Sequence, residues 1–248
     1  MCGRFTLLLS WSEIHQLLAG FIEGLKKETI AEIAHAPRRY NIAPTQPVLV
    51  LVRNQGVVEP QLMRWGLVPE WVDNPADFPL IINARAETVS QKTSFRSALK
   101  NRRCIIPASG YYEWKRNPDG SKTPHYISSR DGQPFLMAAL CSTWVGTEGE
   151  EVDTTAIITV PAGSQLAKVH HRTPVNLVGD AIGQWLDCAG VNAEGAQKLL
   201  TPIADGTARA EPVSREVNAV RNDDESLIVP AFEQGKKQQV PPEQLNLF

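Results

Sequence analysis

The chain has 248 residues, of which 42% are hydrophobic and 21% charged, with a formal net charge of −2 at pH 7. This composition is typical of a globular protein and excludes collagen-like, disulfide-rich and strongly charged disordered chains. No apolar run approaches the ~20 residues that span a membrane, and we find no secretory signal, so we expect a cytoplasmic protein.

The predicted elements are mainly strands. Near the N-terminus, Ser12 can cap a helix whose apolar positions Ile14, Leu17, Leu18 and Phe21 recur at helical spacing. Further helices are predicted at 26–37, 94–100, 180–189 and 192–200, and strands at 48–52, 61–68, 81–88, 104–114 (broken by Pro107 and Gly110), 125–130, 135–144, 154–160 and 173–177.

Many strands with few helices, and no regular alternation between them, favour the α+β class. We expect a single domain over residues 2–230, with a curved, largely antiparallel sheet or barrel-like core and a few flanking helices. Residues 231–248 are rich in Gln, Lys and Pro and are predicted to form a flexible tail.

The start of the chain, MCGRF, places a thiol where termini usually fray. Side chains as small as that of Cys2 permit removal of Met1, which would give Cys2 a free α-amine beside its thiol. The other cysteines, Cys104, Cys141 and Cys188, lie among apolar residues without a CxxC pair. We predict that they fill the core, and we expect neither disulfides nor a metal or other cofactor.

Charge is unevenly distributed along the chain. Residues 38–130 hold 14 Lys and Arg against 7 Asp and Glu, whereas residues 131–248 hold 8 against 16. A basic block in a near-neutral protein indicates an anionic partner such as nucleic acid, although a solvated surface gives the same pattern.

Three polar residues stand in apolar or aromatic surroundings: Asn83 in IINARAE, Glu113 in YYEW and His170 in KVHHRTP. Each also has an ordinary structural interpretation. Asn83 can satisfy backbone groups at a strand end, Glu113 can face outward on a strand, and His170 can lie in a loop.

Six motifs occur in a characteristic order: CGRF, RRYNIAPTQ (38–46), RWGLVPEW (64–71), INARAET (82–88), CIIPASGYYEW (104–114) and HHRTPV (170–175). In this order they resemble the SRAP family (SOS-response-associated peptidases), whose members sense abasic sites and crosslink themselves to DNA. The resemblance runs from residue 2 to about residue 230.

The resemblance implies a function in the DNA damage response: Cys2, once Met1 is removed, traps abasic sites in single-stranded DNA as a covalent thiazolidine. It implies catalytic roles for Cys2, Asn83, Glu113 and His170, with Glu113 as general acid/base. It also implies DNA contacts; the residues concerned are Arg4, Arg39, Asn41, Trp71, Arg85 and Arg172.

Two positions depart from the family pattern. His171 replaces the acidic residue that usually follows the motif histidine, and Val72 replaces an aromatic residue after Trp71. The first changes the side chain beside His170, and the second removes a ring that could stack on bases.

The chain ends in QLNLF, which looks like the pentapeptide that docks bacterial proteins on the replicative sliding clamp. Leu245, Leu247 and Phe248 would enter apolar pockets while Gln244 forms hydrogen bonds. Packing of this segment on its own domain is the alternative.

Two other functions remain open. An N-terminal-nucleophile peptidase would use the same Cys2, Glu113 and His170 on an amide, and a non-catalytic single-stranded DNA-binding module would not need Cys2. We expect a monomer that acts on DNA, in the nucleoid when bound, and no membrane partner.

Overall fold

The structure is a computed structural model that describes residues 2–232. Met1 and residues 233–248 lie outside it, so the prediction of a flexible tail and the QLNLF motif fall outside the described residues. None of the helices within residues 2–232 combines the length and apolarity needed to cross a bilayer.

Strands dominate the fold. They are β1 (Phe5–Leu7), β2 (Arg39–Ile42), β3 (Pro47–Asn54), β4 (Val57–Trp65), β5 (Asn83–Arg85), β6 (Arg103–Ala108), β7 (Gly110–Arg116), β8 (Lys122–Ser129), β9 (Phe135–Val145), β10 (Glu151–Pro161), β11 (Arg172–Pro174) and β12 (Ala208–Pro212). The α-helices are α1 (Trp11–Leu18), α2 (Ala31–Ala34), α3 (Thr93–Asn101), α4 (Asp180–Leu186) and α5 (Ala193–Lys198).

Five strands close into a barrel in the order β10-β4-β3-β6-β9, because β9 also pairs with β10. All of these pairings are antiparallel except that of β4 with β10. A second, five-stranded sheet in the order β12-β8-β7-β1-β2 packs beside the barrel. The predicted α+β class with a largely antiparallel, barrel-like core is confirmed.

The sequence VLVLV in strand β3 lacks the usual alternation of apolar and polar residues because both faces of the strand are buried. Val48 and Val50 face one hydrophobic cluster, and Leu49 and Leu51 face another. A strand with core on both sides reads as a continuous apolar run.

The first helix begins two residues earlier than predicted. Ser10, not Ser12, is the N-cap, because its hydroxyl accepts the N–H of Glu13 while the Glu13 carboxylate accepts the N–H of Ser10. This reciprocal pair is a capping box, which satisfies two amide groups that the helix leaves unpaired.

The predicted helix over 26–37 is largely wrong, since only Ala31–Ala34 is helical. The preceding residues run alongside β4: Leu25 forms a parallel bridge with Val58, and the N–H of Lys26 donates to the Val58 carbonyl at 2.7 Å. Tertiary pairing therefore overrides local helix propensity here.

The predicted strand over 104–114 is interrupted at Ser109, between β6 and β7, and not at Pro107. Pro107 continues β6, whose pairing with β3 includes only Cys104 and Ile105. Without a neighbour on that side, the missing N–H of proline costs no ladder bond. The chain leaves the barrel at Ser109 and enters the second sheet as β7, which carries Glu113.

Candidate active site

Cys2 is buried at the junction of the two sheets, with none of its surface exposed. Strand β1 pairs with both β2 and β7, and the Phe5 ring packs edge-on against Trp65 at 5.1 Å between centroids. The N–H of Tyr112 donates to the Arg4 carbonyl at 2.9 Å. These contacts order the N-terminal segment, which the sequence position alone would suggest is frayed.

Asn83 holds the backbone of Cys2. It begins β5, which pairs in parallel with β10 opposite Ile157. Its Nδ2 donates to the Cys2 carbonyl at 2.8 Å. Its Oδ1 is buried and has no hydrogen-bond partner among residues 2–232. A buried acceptor without a partner costs free energy, so this oxygen is suited to accept a hydrogen bond from a substrate group.

Glu113 and His170 form the polar centre of the site. The Glu113 side chain is about 4% exposed, and one of its carboxylate oxygens lies 3.7 Å from Nδ1 of His170. Burial raises the pKa of Glu113 from 4.5 to about 7, and burial lowers the pKa of His170. Near neutral pH, Glu113 can therefore both give and take a proton, while His170 is largely neutral.

The Cys2 thiol is less acidic than a free cysteine. Burial raises its pKa well above the ordinary range, and the negative charge of Glu113 raises it further. The thiol lies 3.8 Å from the Arg4 carbonyl oxygen. Burial keeps the thiol protonated near neutral pH, so the site needs a base to take the thiol proton.

Arg4 and Asn41 face protein groups. The Arg4 guanidinium donates to Asn41 Oδ1 at 2.8 Å and to the carbonyls of Val217 and Asn218. Buried Asn41 donates to the same Val217 carbonyl and to two more in the 219–222 segment. Both side chains thus tie the N-terminal strand to the C-terminal part of the fold.

Arg39 and Arg172 are ion-paired. Arg39 contacts Asp223 at 2.7 Å. Buried Arg172 forms a two-pronged pair with Glu87, which lies at the end of the INARAET motif. That pair lowers the pKa of Glu87, chiefly through the hydrogen bond. These arginines position the loops around His170 and β2.

Trp71 and Arg85 are open to solvent. The Trp71 side chain is 57% exposed, and its ring packs edge-on against Phe78 at 5.6 Å. Arg85 ends β5 two residues after Asn83, and its side chain is exposed. The structure thus groups Cys2, Asn83, Glu113 and His170, but divides the six predicted DNA contacts into two exposed and four internally bonded side chains.

Tyr111 is a site residue that the sequence interpretation missed. It is buried beside Cys2 and Glu113, and its hydroxyl lies 2.9 Å from Thr173 Oγ1. Tyr111 precedes Glu113 by two residues on β7, so the strand period places both on one face, and its pairing opposite Phe5 brings it to the N-terminal segment.

The sequence matches the family model described as SOS response associated peptidase (SRAP) over residues 1–220. It is 34% identical over 228 residues to abasic site processing protein YoqW of Bacillus subtilis, covering 92% of this chain and 99% of that protein. It is 33% identical to YedK of Escherichia coli, covering 93% and 100%. With HMCES of Gallus gallus the identity is 37%, over 68% of this chain and 56% of that protein.

The fold agrees with this similarity. A solved structure of a protein from Bacteroides thetaiotaomicron superposes with a TM-score of 0.80 at 25% identity, covering 93% of this chain and all of that one. The family that the ordered motifs indicate is confirmed, and the chain belongs to the SOS response associated peptidase (SRAP) family.

Proposed function

We propose that this protein processes abasic sites in single-stranded DNA by forming a covalent crosslink through Cys2. The observation that carries the proposal is the cluster of buried Cys2 and Glu113 with Asn83 and His170. The relatives named abasic site processing proteins support the choice of substrate. The crosslink would protect the lesion during replication.

The chemistry needs a free amine on Cys2, and therefore removal of Met1, which lies outside the described residues. The ring-opened abasic sugar carries an aldehyde. The amine attacks the aldehyde carbon and water leaves, which gives an imine. The thiol sulfur then adds to the imine carbon, its proton passes to the nitrogen, and a thiazolidine ring closes. Both nucleophiles belong to one residue, so the second step is intramolecular and favoured by proximity.

Glu113 is the proton carrier in this scheme. With a pKa of about 7 it can protonate the departing hydroxyl as water leaves, and then carry the proton of the buried thiol to the ring nitrogen. His170, 3.7 Å from Glu113, relays protons or holds a phosphate beside the lesion. Asn83 fixes the Cys2 backbone and offers its buried Oδ1 to the sugar.

Of the six residues predicted to contact DNA, the two that are exposed to solvent would make the direct contacts. Exposed Arg85 would bind a phosphate next to the reacting sugar, and Trp71 would stack on a displaced base. Arg4, Arg39, Asn41 and Arg172 already have protein partners, and they would meet the strand only through the groups that those contacts leave open.

The C-terminal QLNLF would recruit the replicative sliding clamp, through Leu245, Leu247 and Phe248 in apolar pockets and Gln244 as hydrogen-bonding residue. A tail rich in Gln, Lys and Pro would supply the reach. We place the protein in the cytoplasm, on the nucleoid when bound, as a monomer.

A gel assay tests the crosslink. Protein whose mass confirms loss of Met1 is incubated with single-stranded DNA that carries one abasic site, then run under denaturing conditions. Wild type and Cys188→Ala, which removes a half-buried thiol remote from Asn83, should give the same shifted band. Cys2→Ala should give none without a reductant, because its imine cannot close to a ring.

The same assay separates the alternatives. An equal band from Cys2→Ala would contradict the thiazolidine mechanism. Binding without any covalent band, in wild type as in Cys2→Ala, would favour a non-catalytic binding module. Cleavage of a peptide substrate that depends on Cys2 would favour the peptidase.

Deletion of residues 244–248 tests the tail. The truncated protein should crosslink like wild type and should no longer bind the clamp in a pull-down with purified components. Loss of crosslinking together with clamp binding would show that the tail packs on the folded domain.

A further inference from the structure

A basic cleft of about 500 Å³ lies beside the active site. Its walls come from β7, β8, the edge of β12 and the short 3₁₀ helix Leu166–Lys168. The charged residues that line it are Lys115, Arg130, Lys168 and Arg209, against the single carboxylate of Glu211.

The cleft continues directly from the catalytic pair. On one wall, His125 lies opposite Glu113 in the pairing of β7 with β8, and Lys115 follows Glu113 by two residues, so all three share one face of the sheet. On the other wall, Lys168 precedes His170 by two residues. A strand that leaves the Glu113–His170 pair along this face enters the cleft.

The positive charge of the cleft is available for binding. Within the described part of the chain, no carboxylate lies within 4.0 Å of the cationic groups of Lys115, Arg130 or Lys168, and Arg209 is 3.7 Å from Glu211. His125 adds little charge, since burial lowers its pKa. Glu211 offsets part of the charge of Arg209, and Lys168 also interacts with Asp205 at longer range. The remaining excess of cations in a concave site focuses a positive potential, which attracts an anion.

The lining also indicates which part of a nucleic acid would enter. Among the described residues, Val169 and Ala210 are its only apolar residues, and no Phe, Tyr or Trp ring lines it. Bases bind on aromatic platforms, whereas phosphates bind to Lys and Arg without regard to sequence. The cleft is therefore suited to a phosphate backbone.

We infer that this cleft binds the phosphates of the DNA strand that continues from the lesion on one side, so that it sets the polarity of the bound strand. This inference rests on the proposed function, since it takes the Glu113–His170 pair as the position of the abasic sugar. Trp71 lies outside this cleft, so one region would contact bases and the other phosphates.

The test uses Lys115→Glu/Lys168→Glu, because both side chains are exposed and form no ion pair within residues 2–232, so the change should not disturb folding. The control, Lys27→Glu/Lys100→Glu, makes the same change in charge at exposed lysines outside the cleft that also form no ion pair with the described residues. Affinity is measured with a tetrahydrofuran abasic analogue, which has no aldehyde and cannot crosslink. Three single strands are compared. One has about 5 nucleotides around the analogue, and the other two have about 15, extended only on the 5′ side or only on the 3′ side of the analogue.

We expect wild type and the control to gain affinity from the extension on one side, and the cleft variant to lose that gain by about tenfold or more. Its salt dependence, as the slope of log K against log salt, should fall by about 1.4, which corresponds to two lost phosphate contacts. Lys115→Gln/Lys168→Gln should show a smaller loss in the same direction.

An equal loss in the cleft and control variants would overturn the inference, as would an equal loss with 5′ and 3′ extensions. Crosslinking of wild type to the short strand with a natural abasic site reports separately on the proposed function. If wild type crosslinks but the cleft variant gains as much affinity from the extension as wild type does, phosphate binding by the cleft is excluded and the proposed function is unaffected.

Discussion

Glu113→Gln should separate stability from activity, because burial of this carboxylate opposes folding while its proton serves the proposed reaction. Glutamine has nearly the same shape and stays neutral at every pH. Wild-type Glu113 must give up its proton inside the protein when the pH rises above its pKa of about 7, whereas in the unfolded chain it does so near 4.5.

The magnitude follows from the difference between those values, about 2.5 pH units, at about 1.4 kcal/mol per unit. Below pH 4.5 the carboxyl is protonated in both states and contributes nothing. Between 4.5 and 7 the folded state binds more protons than the unfolded state, so wild-type stability falls as pH rises. Above pH 7 the loss of wild-type stability levels off at ~3 kcal/mol. Glu113→Gln does not show this loss, because glutamine does not ionise.

The assay is denaturant unfolding of wild type and variant at about pH 4.5 and about pH 8. The free energy of unfolding of Glu113→Gln relative to wild type should increase by ~3 kcal/mol between the two conditions. Glu194→Gln, at a side chain that is 81% exposed, should change by less than about 0.5 kcal/mol. Crosslinking by Glu113→Gln should slow by about 10²–10⁴-fold.

A constant difference in stability across this pH range would refute the account of Glu113 as a carboxyl whose burial raises its pKa. Crosslinking at the wild-type rate would refute its role as proton carrier. Each result can occur without the other, so the pair of measurements tests the two roles independently.

Two further variants test the contact that holds Cys2 and the contacts that hold the C-terminal part of the fold. Asn83→Ala should slow crosslinking by about 10–100-fold, measured in single-turnover assays, because the Cys2 carbonyl loses its donor at 2.8 Å; a wild-type rate would remove Asn83 from the site. Asn41→Ala should lower the free energy of unfolding by about 3 kcal/mol, since it leaves buried polar groups unpaired. Asn54→Ala, at an exposed residue, is the control, and equal losses in the two would contradict that reasoning.

Local patterns predicted much of the fold. The apolar runs that became β3, β9 and β10 were evident because strands buried on both faces carry little else. The failures have a common cause. The segment 26–30 has helical propensity, but Leu25 and Lys26 at its start pair with β4, and Pro107 lies in β6 beyond the end of its pairing with β3. Both depend on partners distant in the chain.

The same division applies to the site. Cys2, Asn83, Glu113 and His170 were named from motifs, and the structure brings them together. Arg4 and Arg172 were named as phosphate contacts from residue type and motif, yet both donate to protein acceptors. An arginine in a motif indicates an acceptor nearby, and only the fold shows whether that acceptor belongs to the protein.

The sequence by itself determined the family, the barrel strands and the choice of Cys2 as the proposed nucleophile, because each rests on residue identity and order along the chain. Only the tertiary structure decided how acidic the Cys2 thiol is and which carboxylate lies near it. Strands β1, β5 and β7 and the loop before β11 come from distant parts of the chain, and their packing excludes water from Cys2 and Glu113. Exclusion of water raises the pKa of both groups, and no linear motif records it.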